Sequence, residues 1–217
     1  MRVGIIDYGT GNLKSVFGMF KLAAEVANKS AADVVVTDDA KQVLGCDRIV
    51  LPGVGSFRNC YEKLSSLHNM LDVLDFLVVN RRLPILGICV GMQLMSSVSF
   101  EEVKASGFNW IPGVVTRLPS EHVRVPHMGW NSICVTQKHY LFSGLPVSSA
   151  RYNVYFAHSY QYKTCNASNV LATTCYGEKI TAAVADRNVV GVQFHPEKSW
   201  SFGLTFCKNF LRWQVAF

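Results

Sequence analysis

The chain has 217 residues, 49% of them apolar and only 17% charged, enough to bury a full core without disulfide or metal staples. Its seven cysteines are odd in number and never form a C-x-x-C pair, which argues against a disulfide framework or a zinc site and for reduced thiols in a cytoplasmic enzyme. The net charge of +6 is dispersed, so nucleic acid is not an expected partner, and the longest apolar runs are strand-length, so no membrane span is expected.

The N-terminal stretch MRVGIIDYGTG has one Arg and no extended apolar region before a cleavage site, so it reads as a first strand and not as a signal peptide. Val3 to Asp7 is that strand. Asn12 to Ala27 follows as a helix, with Leu13, Val16, Phe17, Phe20 and Ala24 at helical spacing. Val34 to Val36 and Arg48 to Leu51 are the next strands, the latter ended by Pro52-Gly53. Ser56 to Val79 carries Tyr61, Leu64, Leu67, Leu71, Leu74 and Val78 along one face and predicts one long helix. Leu83 to Ile88 is a fourth strand, with a helix from about Val90. This alternation predicts an α/β fold with right-handed crossovers and a mainly parallel central sheet flanked by helices. From Ile111 to Val192 the runs are shorter, richer in Thr, Val and Tyr, and joined by turns, which predicts antiparallel strands added to the same sheet. A helix over about Ser201 to Trp213 closes the chain, and with no linker or repeat in between, residues 1–217 read as a single domain.

Gly87-Ile88-Cys89-Val90-Gly91 places a thiol where a strand turns sharply into a helix, the cysteine form of a nucleophile elbow. Small neighbours permit so tight a turn, a helix N-terminus favours thiolate, and the Val90 amide points where an oxyanion would form. The other six cysteines lack this setting and read as ordinary core or surface residues.

A cysteine nucleophile needs a histidine base and a group to orient it. Among the six histidines, His195 ends an apolar strand in Gly191-Val192-Gln193-Phe194-His195-Pro196-Glu197-Lys198-Ser199, and residues two apart in extended backbone share a face, so Glu197 can hold its imidazole. His158 has no adjacent carboxylate and reads as a pocket residue. His127 lies in Val125-Pro126-His127-Met128-Gly129-Trp130-Asn131, where Met and Trp suggest a contact surface. His68, His122 and His139 read as surface residues.

Taken together, GICVGMQ at 87–93 and QFHPEKS at 193–199 resemble the class I glutamine amidotransferases, whose triad is Cys-His-Glu. DYGTGNL at 7–13, PGVGSF at 52–57, PHMGWN at 126–131 and YFAHSY at 155–160 are similar to one branch of that family, the glutaminase subunits of imidazole glycerol phosphate synthases in histidine biosynthesis. The likeness runs from Asp7 to about Phe210. It implies a flavodoxin-like fold and hydrolysis of glutamine to glutamate and ammonia with no cofactor or metal. Cys89 would attack the side-chain amide and form a glutamyl thioester, His195 would protonate the leaving ammonia and then activate water, and Glu197 would orient His195. Pro52 to Gly55 would form an oxyanion strand that flips to complete a hole made with Val54, Gly55 and Val90. Gly55, Gln93, Glu101, His158, Ser159 and Tyr160 would hold glutamine. Asn12, Met128, Trp130 and Tyr155 would face a heterodimer partner, a cyclase (β/α)8-barrel subunit that joins the ammonia to a phosphorylated ribulosyl intermediate. The chain departs from family habit at Val90, where Leu is frequent, at Ala157, where a larger aliphatic residue or Val is frequent, and in Ser99-Phe100-Glu101, which replaces a Ser-Glu-Glu order.

Three other readings share part of this pattern. A paralogue feeding ammonia to a sugar-modifying synthase in surface polysaccharide assembly would carry the same triad. A cysteine peptidase shares the elbow but has no need of the His-x-Glu pair. A non-catalytic scaffolding subunit is at odds with the presence of all three triad members.

Overall fold

The computed structural model describes residues 1–27, 32–119, 121, 123–145 and 152–215, so His122 lies outside the described residues. The first half alternates β1 (Arg2–Ile6), α1 (Leu13–Val26), β2 (Asp33–Thr37), α2 (Ala40–Leu44), β3 (Arg48–Gly53), α3 (Phe57–Ser66), α4 (Met70–Asp75), β4 (Ile85–Cys89) and α5 (Val90–Gln93). The four strands pair in parallel in the order β2-β1-β3-β4. Every residue of β3 and β4 is buried, as strands covered on both faces must be. The chain steps one way from β1 to β2 and the other way to β3 and β4, so right-handed crossovers put α1 on one face and α2 to α4 on the other.

The second half adds β5 (Val98–Ser99), β6 (Ala105–Ser106), β7 (Gly113–Arg117), β8 (His127–Val135), β9 (Tyr152–His158), β10 (Tyr160–Thr164), β11 (Val170–Tyr176), β12 (Glu178–Asp186), β13 (Val189–Val192) and α6 (Trp200–Arg212). The main sheet has nine strands in the order β2-β1-β3-β4-β13-β12-β11-β8-β9, with β13 parallel to β4 and the strands beyond it antiparallel. α6 packs beside α1, where Phe20 meets Phe210 edge-on at 6.0 Å.

Two expectations need correction. The long helix over Ser56 to Val79 is two α-helices and a π-helical turn, Phe76–Asn80. Asn69 breaks it at φ 57°, a left-handed conformation that Asn tolerates better than most residues. The break rotates the second piece, so Phe57, Cys60, Leu64, Met70 and Leu74 are buried while Tyr61, Leu67 and Leu71 are half-buried. Nor do all the later strands join one sheet: β10, β7, β5 and β6 form a second, four-stranded sheet. The switch happens at Ser159, the only residue between β9 and β10, where the chain leaves one sheet for the other. Alternation along a strand reports which face is buried and carries no information about which sheet supplies the neighbour.

Candidate active site

Parallel strands bring their carboxyl ends to one edge of the sheet, where β1 leads into DYGTGN and β3 and β4 into PGVG and GICVG. There the backbone reverses at a single residue: Cys89 has φ 55° and ψ −111°, a strained state for a non-glycine residue costing on the order of 1–3 kcal/mol. Gly91 permits the turn, since a Cβ there would collide with the carbonyl oxygen of Leu51. The helix that follows, α5, has only four residues, so a helix dipole is a smaller aid to the thiolate than the sequence suggests. The strained turn aims the thiol.

His195 and Glu197 meet by a different route from the one expected. β13 ends at Val192, and Pro196–Lys198 forms a 3-10 turn directly after His195. The turn, not extended spacing, puts the two side chains together: His195 Nδ1 and Glu197 Oε1 lie 2.8 Å apart, both nearly fully buried. A Cβ on Gly203 would collide with Pro196 O, so α6 sits tight against this turn. Glu197 Oε2 is buried and meets no donor among the described residues. The imidazole is therefore the polar group on which the carboxylate depends. Burial works against a charged ring, but the neighbouring Cys89 sulphur and Glu197 carboxylate more than offset it and push the His195 pKa up to about 10. The sulphur also lies 3.8 Å from Ala157 O and 3.7 Å from Gln193 Nε2.

β9 closes the site from above. It lies four places from β13 in the sheet, roughly 19 Å away in a flat ladder of about 4.8 Å per strand. Yet His195 N donates to Tyr155 O at 2.8 Å and Tyr155 N to Ser199 Oγ at 3.1 Å. The sheet therefore curls until its edge strand reaches Cys89 and His195.

Between these elements lies a cavity of ≈ 270 Å³ lined by Cys89, His195 and every residue assigned from the sequence to the oxyanion or to glutamine: Val54, Gly55, Val90, Gln93, Glu101, His158, Ser159 and Tyr160. Gly55 has φ +103°, and Val54 O accepts from Cys60 Sγ at 3.4 Å. Glu101 Oε2 accepts from Phe57 N at 2.7 Å, while burial pushes its pKa up against that bond. Gln93 Nε2 donates to Tyr160 O at 3.2 Å and to Gln193 Oε1 at 2.9 Å.

His158 is one end of a buried relay. Tyr160 O can only accept, so the proton of His158 sits on Nδ1, 2.8 Å away. Burial pushes its pKa down to about 3, leaving Nε2 to accept from His127 Nδ1 at 2.9 Å. His127, pushed down to about 4 by burial, accepts in turn from Asn131 Nδ2 at 3.2 Å. These two rings are neutral structural groups, and His127 is stacked between Phe156 and Tyr176 and not part of an exposed surface. His139 also departs from the surface reading: it is half-buried against Trp213, and burial pushes its pKa down to about 4.

Of the residues expected at a partner surface, Met128 is 64% exposed and Trp130 52%, on outward positions of β8. Tyr155 pairs with Trp130 across the ladder and is half-buried under the ammonium of Lys198, 5.1 Å from its ring. Asn12 is half-buried at the start of α1. Trp200, absent from the sequence reading, is 78% exposed and meets Trp130 edge-on at 6.3 Å. A Trp directly after the HPEKS segment was the available signal. Gln193 was missed as well, although it precedes His195 by two.

The family model for "Glutamine amidotransferase class-I" matches residues 5–212. The imidazole glycerol phosphate synthase subunit HisH of Brucella melitensis is 46% identical over 99% of this chain and 100% of its own length. That of Brucella suis agrees to the same extent, again 46% over 99% and 100%. Among solved structures, PurLQS from Thermotoga maritima superposes with a TM-score of 0.70 at 17% identity, covering 97% of each chain. With its motifs on the edge of such a sheet and this degree of likeness along its whole length, the chain belongs to the class I glutamine amidotransferase family, in the branch of the HisH subunits.

Proposed function

We propose that this chain is the glutaminase subunit of an imidazole glycerol phosphate synthase, hydrolysing glutamine and handing the ammonia to a cyclase (β/α)8-barrel subunit in histidine biosynthesis. The observation that carries the reading is the buried His195–Glu197 contact at 2.8 Å opening on the same cavity as the strained Cys89. In this scheme Cys89 Sγ, its proton passed to His195, attacks the amide carbon, and the negative oxygen is met by backbone amides of Val54, Gly55 and Val90. His195 returns the proton to nitrogen as the C–N bond breaks and ammonia leaves. The ring then takes a proton from water, whose oxygen adds to the thioester, and the thiol is regenerated as glutamate departs. Gly55, Gln93, Glu101 and the turn at His158, Ser159 and Tyr160 hold the amino acid.

A cyclase partner is supported by the exposed Met128, which lines the cavity, and the exposed Trp130 two residues on, and a cytoplasmic setting by seven free thiols. Among the described residues, no helix is long and apolar enough to cross a membrane. In this reading the PGVG strand reorients when the partner binds, so glutamine turnover should be weak in the purified chain and rise when the cyclase is added. Cys89→Ala should abolish turnover, by on the order of 10⁴-fold or more, while leaving partner binding intact. Complementation of a histidine auxotroph lacking its glutaminase subunit tests the pathway. Stable expression without growth would reject the histidine assignment, and turnover by the Ala variant would reject the nucleophile.

A further inference from the structure

Cys89 sits between an acceptor and a donor. Its sulphur lies 3.8 Å from Ala157 O, which can only accept, and 3.7 Å from Gln193 Nε2, which can only donate. The neutral thiol is served by Ala157. Once the proton leaves for His195, that carbonyl repels the sulphur and the Gln193 amide becomes the favourable neighbour.

The orientation of the Gln193 amide is determined by its surroundings. Tyr160 O requires a donor, which makes the contacting atom of Gln93 its Nε2. That same nitrogen lies 2.9 Å from the Gln193 side chain and so faces its oxygen, leaving the Gln193 nitrogen turned to sulphur. Flipping either amide would set two acceptors or two donors against each other inside the protein, a penalty of about 1–3 kcal/mol for each stranded group. Gln193 has no exposed surface, so water cannot substitute for either partner. The backbone supports the placement: Val192 pairs with Ile88 in the parallel β13–β4 ladder, so the next residue on each strand, Gln193 and Cys89, leaves the sheet side by side. Gln193 N is also tied to Ala182 O at 2.9 Å.

We propose that Gln193 is a positioning residue for the nucleophile, its side-chain amide holding the Cys89 sulphur in its deprotonated form. This rests on the reading of Cys89 as nucleophile. A merely structural Gln193 would serve instead as the acceptor for Gln93, and the two roles rank substitutions in opposite orders. Gln193→Glu keeps an acceptor for Gln93 but turns a carboxylate oxygen to the sulphur. Gln193→Met keeps the length and removes both functions.

The test is the rate of iodoacetamide alkylation at pH 7, read by peptide mass at Cys89 so that the exposed Cys134, Cys165 and Cys175 do not contribute. The expected order is wild type, then Met about fivefold slower, what one hydrogen bond contributes, then Glu slower again. A Met variant as fast as wild type, or a Glu variant as fast as Met, overturns the proposal. In the complex with the cyclase, Met should lower kcat by a larger factor than it raises KM for glutamine, since it also removes the acceptor for Gln93. A raised KM with unchanged kcat would assign Gln193 to the support of Gln93 and Tyr160 and would also overturn it, even if the Glu variant fails to fold. Alkylation is measured at Cys89 whether or not glutamine turns over, so failure here is separable from failure of the proposed function.

Discussion

A buried carboxylate with a single polar neighbour transfers its whole preference to that neighbour, and Glu197 does this to His195. Replacing it by Gln keeps the shape and removes the charge. The alkaline limb of the pH–rate profile should then move to lower pH, because the Cys89 sulphur and Glu197 together lift the ring's pKa to about 10 and the second of these is lost, and turnover should fall on the order of 10³-fold. The same group affects stability with a definite sign. Its folded pKa lies above the unfolded one, so its contribution is complete below about 6.5 and is lost as pH rises through about 10. The turn at Cys89 and the His195–Glu197 pair were legible at this scale because two glycines around a cysteine and a carboxylate two residues from a histidine are local patterns. Gln193 was not, since its significance depends on the register between two strands a hundred residues apart.

At the level of elements, close backbone approach matters more than propensity. Leu51 O lies where a side chain at residue 91 would begin, so Gly91→Ala must push β3 and α5 apart. A loss of about 2–3 kcal/mol in urea unfolding is expected, with turnover falling because the Cys89 turn moves with it. The second sheet is pinned differently. The buried Tyr162 hydroxyl on β10 donates to Ile111 O, ahead of β7, and Tyr162→Phe leaves that carbonyl without its partner. A cost of about 1–3 kcal/mol in the same measurement is expected, with glutamine KM rising if the adjacent Ser159 turn loosens. The helix broken at Asn69 shows why the sequence overextended it: an apolar stripe persists across the break, and only the left-handed residue marks the change in phase.

At the scale of the whole molecule, acid should weaken the fold. His127, His139 and His158 are held neutral, with pKa values pushed to about 4, 4 and 3. Their folded values lie below the unfolded 6.5, so the stability they contribute is present above that pH and is lost as pH falls toward 3 to 4. The melting temperature should drop by at least about 5 °C between pH 7 and pH 5. An unchanged value would mean that the relay from Tyr160 to Asn131 accepts protons without opening. The curl of the sheet also belongs to this scale. It carries β9, with its exposed neighbours Met128 and Trp130, over His195, so that Tyr155 links the aromatic surface to that residue through one backbone hydrogen bond.

Local chemistry was readable from the residues alone: the α/β alternation, the elbow at Cys89, the His195–Glu197 pair and the glycine-rich strand before α3 each occupy a short window in which spacing constrains geometry. Tertiary structure alone decided which strands formed the second sheet, how the 3-10 turn brought Glu197 to His195, and that Gln193 stands at the sulphur. The physical reason is that periodicity encodes a residue's face and not its neighbour, and neighbours across a curled sheet are chosen by register and packing between segments far apart in the chain.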